Sequence, residues 1–450
     1  MRTIDLRGTA ARDAASLVPR ATEARDNALR VAGELVADVR ERGEAALREQ
    51  AERFDGVSGH ALRVPRGDIE AAVAGLDPDV RAALERAILN VRKASAAQVP
   101  PPVVTELAPG ARVTQRWQPV RRVGVYVPGG KAVYPSSVVM NVVPAQVAGV
   151  SAVALASPAQ RADGKVHPTI LAAAGLLGID EVYAIGGAGA IGAFAYGVPD
   201  IALESVDVVT GPGNNYVAAA KRHVAGVVGT DSEAGATEIL VIADDSADPV
   251  LIAADLVSQA EHDEQAGAVL VTDSVGIAEA VREQVEGFAT RTRHAERVRT
   301  ALAGDQSAIV LVDDLDAAVS FSNAYAPEHL EVQTRDPEGL LPVLTNAGAI
   351  FLGPNSPVSL GDYLAGSNHV LPTGGQARYA AGLGAQTFLR AQQIIAYDRE
   401  ALAGVADAIV ALAEAEALPA HGEAVTARFA DSATAVGAAA EISVAETSAN

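Results

Sequence analysis

The sequence predicts an α/β protein built on two largely parallel sheets. Three observations carry this. From about residue 111 to about residue 385, short apolar runs alternate with helix-like stretches, the pattern of strand–helix–strand units. The runs are too many for one small sheet. At 450 residues, 49% of them hydrophobic, the chain can bury more than one core.

The elements follow in order. Residues 1–100 are rich in Ala and Arg, and "ATEARDNALRVAGELVADVRERGEAALREQAERF" spaces apolar residues three and four apart, as an amphipathic helix does. "ARVTQRWQPVRRVGVYVP" alternates like a hairpin. Strands are expected at "SAVALAS", "EVYAI", "SVDVVTG", "EILVIAD", "AVLVTDS", "SAIVLVDD" and "GAIFLG". Asp248–Pro249 reads as an N-cap followed by proline at the first helical position. After about residue 385 the chain is expected to return to helix, and 431–450 to fray.

Composition narrows the function. A net charge of −21 argues against a nucleic-acid surface. The chain has no cysteine, which excludes disulfides and thiolate metal sites. "MRTIDLRGTA" has charges where a signal peptide needs an apolar core, and no apolar run is long enough to span a bilayer. A cytoplasmic protein is expected, with neither nucleic acid nor membrane as partner.

Three glycine-rich turns follow β-like runs. In "AIGGAGAIGAFAYG", Gly187, Gly189 and Gly192 spell G-x-G-x-x-G. A dinucleotide fingerprint also needs an acidic residue at the end of the next strand, and Asp207 stands at that strand's start. This turn is therefore read as lining a ligand at the carboxyl edge of a sheet, not as a pyrophosphate cradle. "GPGNN" is a second such turn. "GVYVPGGKAVYPSS" places Tyr126 and Tyr134 about a third, with Ser136 and Ser137 at a helix start. Two readings of it stay open: a site for a flat phosphorylated ligand, or a serine-capped helix with packed tyrosines.

Polar residues with ligand chemistry stand in other punctuated stretches. "LVSQAEHDEQ" puts Gln259 and His262 on one helical face. Three apart is a chelating step, but glutamine is a weak ligand, and a solvated helix end fits the pair alone. Glu328 and His329 follow a proline; Asp362 and His369, and Glu416 and His421, sit in similar settings. Such a set suits zinc or another borderline divalent ion.

The chain resembles the histidinol dehydrogenase family over nearly its whole length. The resemblance rests on "VGVYVPGGKAVYPSSVVMN", "TGPGNNYVAAAKR", "GTDSEAGATE", "SQAEHDEQA", "AYAPEHLE", "SPVSLGDYLAGSNHVLPT" and "LPAHGEAV". It implies NAD-dependent, four-electron oxidation of L-histidinol to L-histidine through the aldehyde, the last step of histidine biosynthesis. It implies one zinc per subunit on Gln259, His262, Asp362 and His421, an acid–base pair of Glu328 and His329, and cofactor positions at Tyr126, Gly189 and Asn214. Substrate contacts fall on Thr237, His329, His369 and Glu416, beside the zinc positions Gln259, His262, Asp362 and His421.

The fold the resemblance implies is two incomplete Rossmann-like parallel-sheet domains with helical N- and C-terminal extensions, in an intertwined homodimer. The C-terminal segment would complete the neighbouring subunit's site. The expected divisions are an extension over 1–24; an α/β domain from 25–126 and 239–383 carrying most zinc and catalytic residues; a second α/β domain, 127–238, on the nucleotide side; a helical segment, 384–436; and a flexible tail, 437–450.

Four places depart from the family pattern: Gly189 where Gln is usual, Ala236 where Pro is usual, Asn355 where an aromatic is common, and Ala380–Ala381 where serines are common. The first implies weaker NAD binding. Competing readings are a related dehydrogenase of another small amino or polar alcohol, a zinc hydrolase using Glu328, and a non-catalytic binding protein.

Overall fold

The computed structural model describes residues 1–9, 13–20, 25–129, 133–232 and 235–430. The expected tail, 437–450, lies outside the described residues. In chain order the strands are β1 (Arg2–Asp5), β2 (Val103–Ala108), β3 (Ala111–Pro119), β4 (Arg122–Tyr126), β5 (Ala152–Ser157), β6 (Val182–Ala184) and β7 (Val208–Thr210). There follow β8 (Gly229–Thr230), β9 (Glu238–Ala243), β10 (Gly267–Thr272), β11 (Ala308–Leu311), β12 (His329–Gln333), β13 (Ala349–Leu352) and β14 (Leu389–Tyr397).

The chain forms two compact units, Met1–Val99 with Pro119–Leu389, and Pro100–Gln118 with Arg390–Asn450. Within the first unit lie two parallel sheets. One has the order β1-β11-β10-β9-β12-β13, the other β6-β5-β4-β7-β8. Their central strands are buried at every residue, as in "EILVIA" of β9 and "RVGVY" of β4. Continuous apolar runs are what a parallel sheet covered on both faces requires.

Each sheet has a core on either face. Against the six-stranded sheet, Ile252 and Leu256 of the helix Pro249–Ala260 pack on one side, and Phe321 and Tyr325 of the helix Leu315–Tyr325 on the other. The five-stranded sheet is covered by helices that include Pro135–Ala148 and Gly187–Tyr196.

Three expectations need correction. The N-terminal helices do not join 239–383. Arg25–Arg42 packs on Gly187–Tyr196 and Asn215–Val224, and Pro78–Ala97 on Pro135–Ala148, so 25–99 belongs with the five-stranded sheet. Helical periodicity marks an apolar stripe and says nothing about which sheet it covers. The stretch expected as one hairpin divides in two. β3 pairs antiparallel with β2 across a turn at Gly110 (φ +77°), while β4 enters the parallel sheet. Finally, 384–436 is not all helix. It contains β14, which joins β3 and β2, before the helices Arg399–Ala415 and Pro419–Thr426. β1, paired with β11, was not anticipated.

The glycine turns are locked by close approaches. Gly211 has φ +119°, and a Cβ there would sit 2.0 Å from the Tyr126 carbonyl oxygen, so only glycine fits. Lys221, buried, pairs with Asp231 and donates to the Gly211 and Ser232 carbonyls (3.1 and 3.0 Å), while the Gly211 N–H donates to Asp231 Oδ2 (2.8 Å). This pair pins the turn after β7 to the segment that leads into β9. Among the described residues no helix is long and apolar enough to cross a membrane.

Candidate functional site

A cavity of about 1020 Å³ lies within the first unit. Part of its wall is the carboxyl edge of the five-stranded sheet: Tyr126 at the end of β4, Gly186 to Gly189 after β6, Asn214 after β7. Another part is the amino edge of the six-stranded sheet. Thr237 and Glu328 immediately precede β9 and β12, and His329 begins β12. β9 and β12 are parallel neighbours in a register that sets His329 opposite Ile239. The first edge is where open α/β sheets hold ligands; the second is the opposite end of its strands.

The pairing of β9 with β12 builds a hydrogen-bonded cluster. Glu328 Oε2 accepts from the Thr237 hydroxyl (2.5 Å) and from the Glu238 N–H (2.9 Å). His329 Nδ1 lies 3.1 Å from the Glu238 carbonyl oxygen. A carbonyl only accepts, so Nδ1 carries the hydrogen and Nε2 is left as the basic nitrogen. Gln259 Nε2 donates to the Thr237 oxygen (2.6 Å).

Burial drives the two acid–base candidates apart. It pushes the Glu328 carboxyl up to about 8, against the opposing pull of the Thr237 and Glu238 hydrogen bonds. It pushes the His329 imidazole below its usual range, against the opposing charge of Asp362. Near neutral pH the imidazole is therefore an uncharged base and the carboxyl holds its proton. Opposed shifts in adjacent groups separate acid from base roles.

The first unit carries three of the residues expected to hold zinc, Gln259, His262 and Asp362. Gln259 Oε1 is buried and has no hydrogen-bond partner, because Thr237 holds the other end of the amide. His262 Nδ1 is 3.2 Å from the Gln259 carbonyl oxygen and so carries its hydrogen, leaving Nε2 free. His262 and Asp362 both line the cavity. Among the described residues no three His, Cys, Asp or Glu side chains gather as a metal site. An amide oxygen, one imidazole and one carboxylate nevertheless fit a zinc ion that takes a further ligand from elsewhere. Glu416 and His421 are exposed and belong to the second unit, at the end of the helix Arg399–Ala415 and in the helix Pro419–Thr426.

His369 also lines the cavity. Its Nδ1 donates to the Asp362 carbonyl (3.1 Å), so its Nε2 accepts from the Ser137 hydroxyl (3.0 Å). Ser137 is thus a partner of His369, and Tyr134, not a serine, stands at the N-cap of Pro135–Ala148. Asn214 caps Asn215–Val224 through its Oδ1 (3.0 and 3.2 Å to the Tyr216 and Val217 N–H groups), which leaves its amide NH2 for a ligand. The Tyr126 hydroxyl accepts from the Gly187 N–H (3.2 Å).

The remaining glycines explain themselves by packing. A Cβ on Gly192 would sit 3.3 Å from Val36 Cα, so this glycine lets two helices close together. A Cβ on Gly189 would sit 2.5 Å from Gln50 Oε1. The Gln50 amide fills the space of the missing side chain, and a glutamine restored at 189 would have to displace it. Ala236 lines the cavity, whereas Asn355, Ala380 and Ala381 do not.

Comparison with known proteins gives the family. The family model for histidinol dehydrogenase matches residues 18–429. The chain belongs to the histidinol dehydrogenase family. A family member from Leifsonia xyli subsp. xyli is 67% identical over 432 residues, covering 95% of this chain and 99% of that protein. The one from Thermobifida fusca is 57% identical over 427 residues, covering 95% and 97%. The crystal structure of histidinol dehydrogenase from Elizabethkingia anophelis superposes with a TM-score of 0.90 at 33% identity, covering 95% of this chain and 98% of that one. The chain is accordingly an oxidoreductase with the fold of this family.

In metal-free protein, the infrared carbonyl band of protonated Glu328, identified by its loss in Glu328→Gln, should fade as pH rises through about 8. A bound divalent ion should lower that pH. A carboxylate already formed at pH 6 in metal-free protein would contradict the opposed shifts.

Proposed function

We propose that this chain oxidises L-histidinol to L-histidine through L-histidinaldehyde, with NAD as oxidant and one zinc per subunit, in the cytoplasm. The observation that carries the reading is the juxtaposition, on the cavity wall, of an imidazole whose Nδ1 is held by a carbonyl and a carboxyl raised to about 8, with Gln259 tied to that carboxyl through Thr237 and its oxygen left unpartnered. Zinc would be held by Gln259, His262 and Asp362, with His421 supplied by a second copy of the chain. When bound, zinc would orient the substrate's imidazole and amine, and NAD would accept one hydride in each oxidation.

The chain's own residues account for the protons. His329 Nε2 takes the hydroxyl proton of the alcohol, and its Nδ1–H stays on the Glu238 carbonyl, which steadies the imidazolium as it forms. Glu328, once ionised, takes a proton from water as the oxygen adds to the aldehyde carbon. His329, once its first proton has passed to solvent, takes a proton from the hydrate. The substrate gains one oxygen from water and loses two hydrides, ending as a carboxylate. Thr237 aims Glu328 through its hydroxyl. His369 and Glu416 would contact the substrate, and Tyr126, the turn at Gly189 and the Asn214 amide would contact the nucleotide. One enclosed site for both steps keeps the aldehyde from solvent.

We take the assembly to be a homodimer: in the second unit Val104, Leu107, Ile395 and Leu412 are 60 to 70% exposed, large apolar side chains that a second copy would cover.

With zinc, NAD and L-histidinol, the purified chain should form two NADH per histidine, and a chelator should abolish turnover. One NADH per substrate with aldehyde released, or turnover only of other amino alcohols, would overturn the reading. His421→Ala and Glu328→Gln should each be nearly inactive. Co-expressed, they should regain about a quarter of the wild-type activity, because half the dimers are mixed and each mixed dimer holds one intact site. No recovery would place His421 in its own subunit's site or in none.

A further inference from the structure

The side chains of Glu238 and Arg20 do not line the cavity and have been given no role so far, yet both members of the acid–base pair hang on the backbone of residue 238. Its N–H donates to Glu328 Oε2 (2.9 Å), and its carbonyl accepts from His329 Nδ1 (3.1 Å). The backbone at one position therefore sets the place of both side chains.

That position is held unusually firmly. The Glu238 side chain is 4% exposed, and both its oxygens take the Arg20 guanidinium, Oε2 from Nε at 2.6 Å and Oε1 from Nη2 at 3.0 Å. Oε1 also accepts from the Gly374 N–H (3.2 Å), and the Tyr325 hydroxyl donates to Oε2 (3.4 Å). Arg20 lies 3.8 Å over the Tyr325 ring and donates to the Tyr325 carbonyl and, at 3.4 Å, to that of Ala326. Ala326 is a non-glycine residue with φ +51°, and it turns the chain from the helix Leu315–Tyr325 into Pro327 and Glu328. Arg20 thus grips both the strand start that carries Glu238 and the strained turn that delivers Glu328.

A largely buried ion pair adds little net stability over an apolar substitute, since desolvation offsets the attraction. A two-pronged guanidinium–carboxylate contact does fix direction. We infer that the Arg20–Glu238 pair is a positioning device: it locks residue 238 and the 325–326 turn so that Glu328 and His329 meet the substrate in register.

The test compares Arg20→Met, Arg20→Lys and Glu238→Gln in the full-length, zinc-loaded chain. Arg20→Met should lower kcat about 100-fold, the scale of an ångström-sized misplacement. KM for NAD should stay within about twofold, because the nucleotide wall is untouched. Arg20→Lys keeps the charge and loses the fork, so it should recover about tenfold of that loss. The charged or titratable groups acting on Glu328 are Glu238, His262 and His329. A loosened Glu238 N–H bond disfavours the carboxylate, so the Glu328 infrared titration of metal-free Arg20→Met should move up by about half a pH unit or more. Should Arg20→Met not fold, Glu238→Gln carries the kcat arm and Arg20→Lys the titration arm, because Glu238→Gln also removes a charge that holds the Glu328 carboxyl up. A folded variant with kcat within twofold of wild type, or with reduced kcat and an unmoved Glu328 titration, would overturn the inference. The kcat arm rests on the functional reading above, but the titration arm needs no turnover, so the two failures are distinguishable.

Discussion

The site depends on β9 and β12 lying side by side, parallel, with His329 opposite Ile239. No local sequence feature brings residues 237–238 to residues 328–329. The strand pairing does, at the start of both strands. There the Glu238 N–H donates to Glu328 and the Glu238 carbonyl lies within hydrogen-bond reach of His329 Nδ1. A slip of one residue would turn every side chain to the other face and separate the pair.

Burial then supplies the chemistry. Glu328 and His329 are each about 5% exposed, in surroundings where charged forms are disfavoured. The same desolvation keeps the imidazole uncharged and keeps the carboxyl protonated to unusually high pH. Around them, each polar contact commits one end of a side chain and frees the other. Thr237 holds the Gln259 nitrogen and leaves its oxygen. Backbone carbonyls hold Nδ1 of His262 and His329 and leave Nε2. The side chains are oriented before any ligand arrives.

Much of this was legible in the sequence. Strands buried on both faces announce themselves as apolar runs, and "EILVIAD" and "SAIVLVDD" became β9 and β11. Asp248 does cap its helix, accepting from the Val250 N–H at 2.8 Å. The motifs that carry the resemblance named the residues worth watching. What stayed hidden was long-range. Alternation in "ARVTQRWQPVRRVGVYVP" could not say that β3 turns back to β2 while β4 joins another sheet. β14 was missed because its two faces are nearly equally exposed, so burial left no period to read. Glu238 looked like one more letter of a motif, since its partner Arg20 lies 218 positions away. Gly189 looked like a lost contact, and the side chain filling its place, Gln50, comes from a helix far upstream.

The central claim is that the Glu238 carbonyl fixes the tautomer of His329 and leaves Nε2 as the base. Imidazole 15N chemical shifts at pH 7, with His329 assigned by its disappearance in His329→Gln, read that directly. The account predicts a neutral ring protonated at Nδ1, with a bare Nε2. A ring protonated at Nε2, or at both nitrogens, would contradict it.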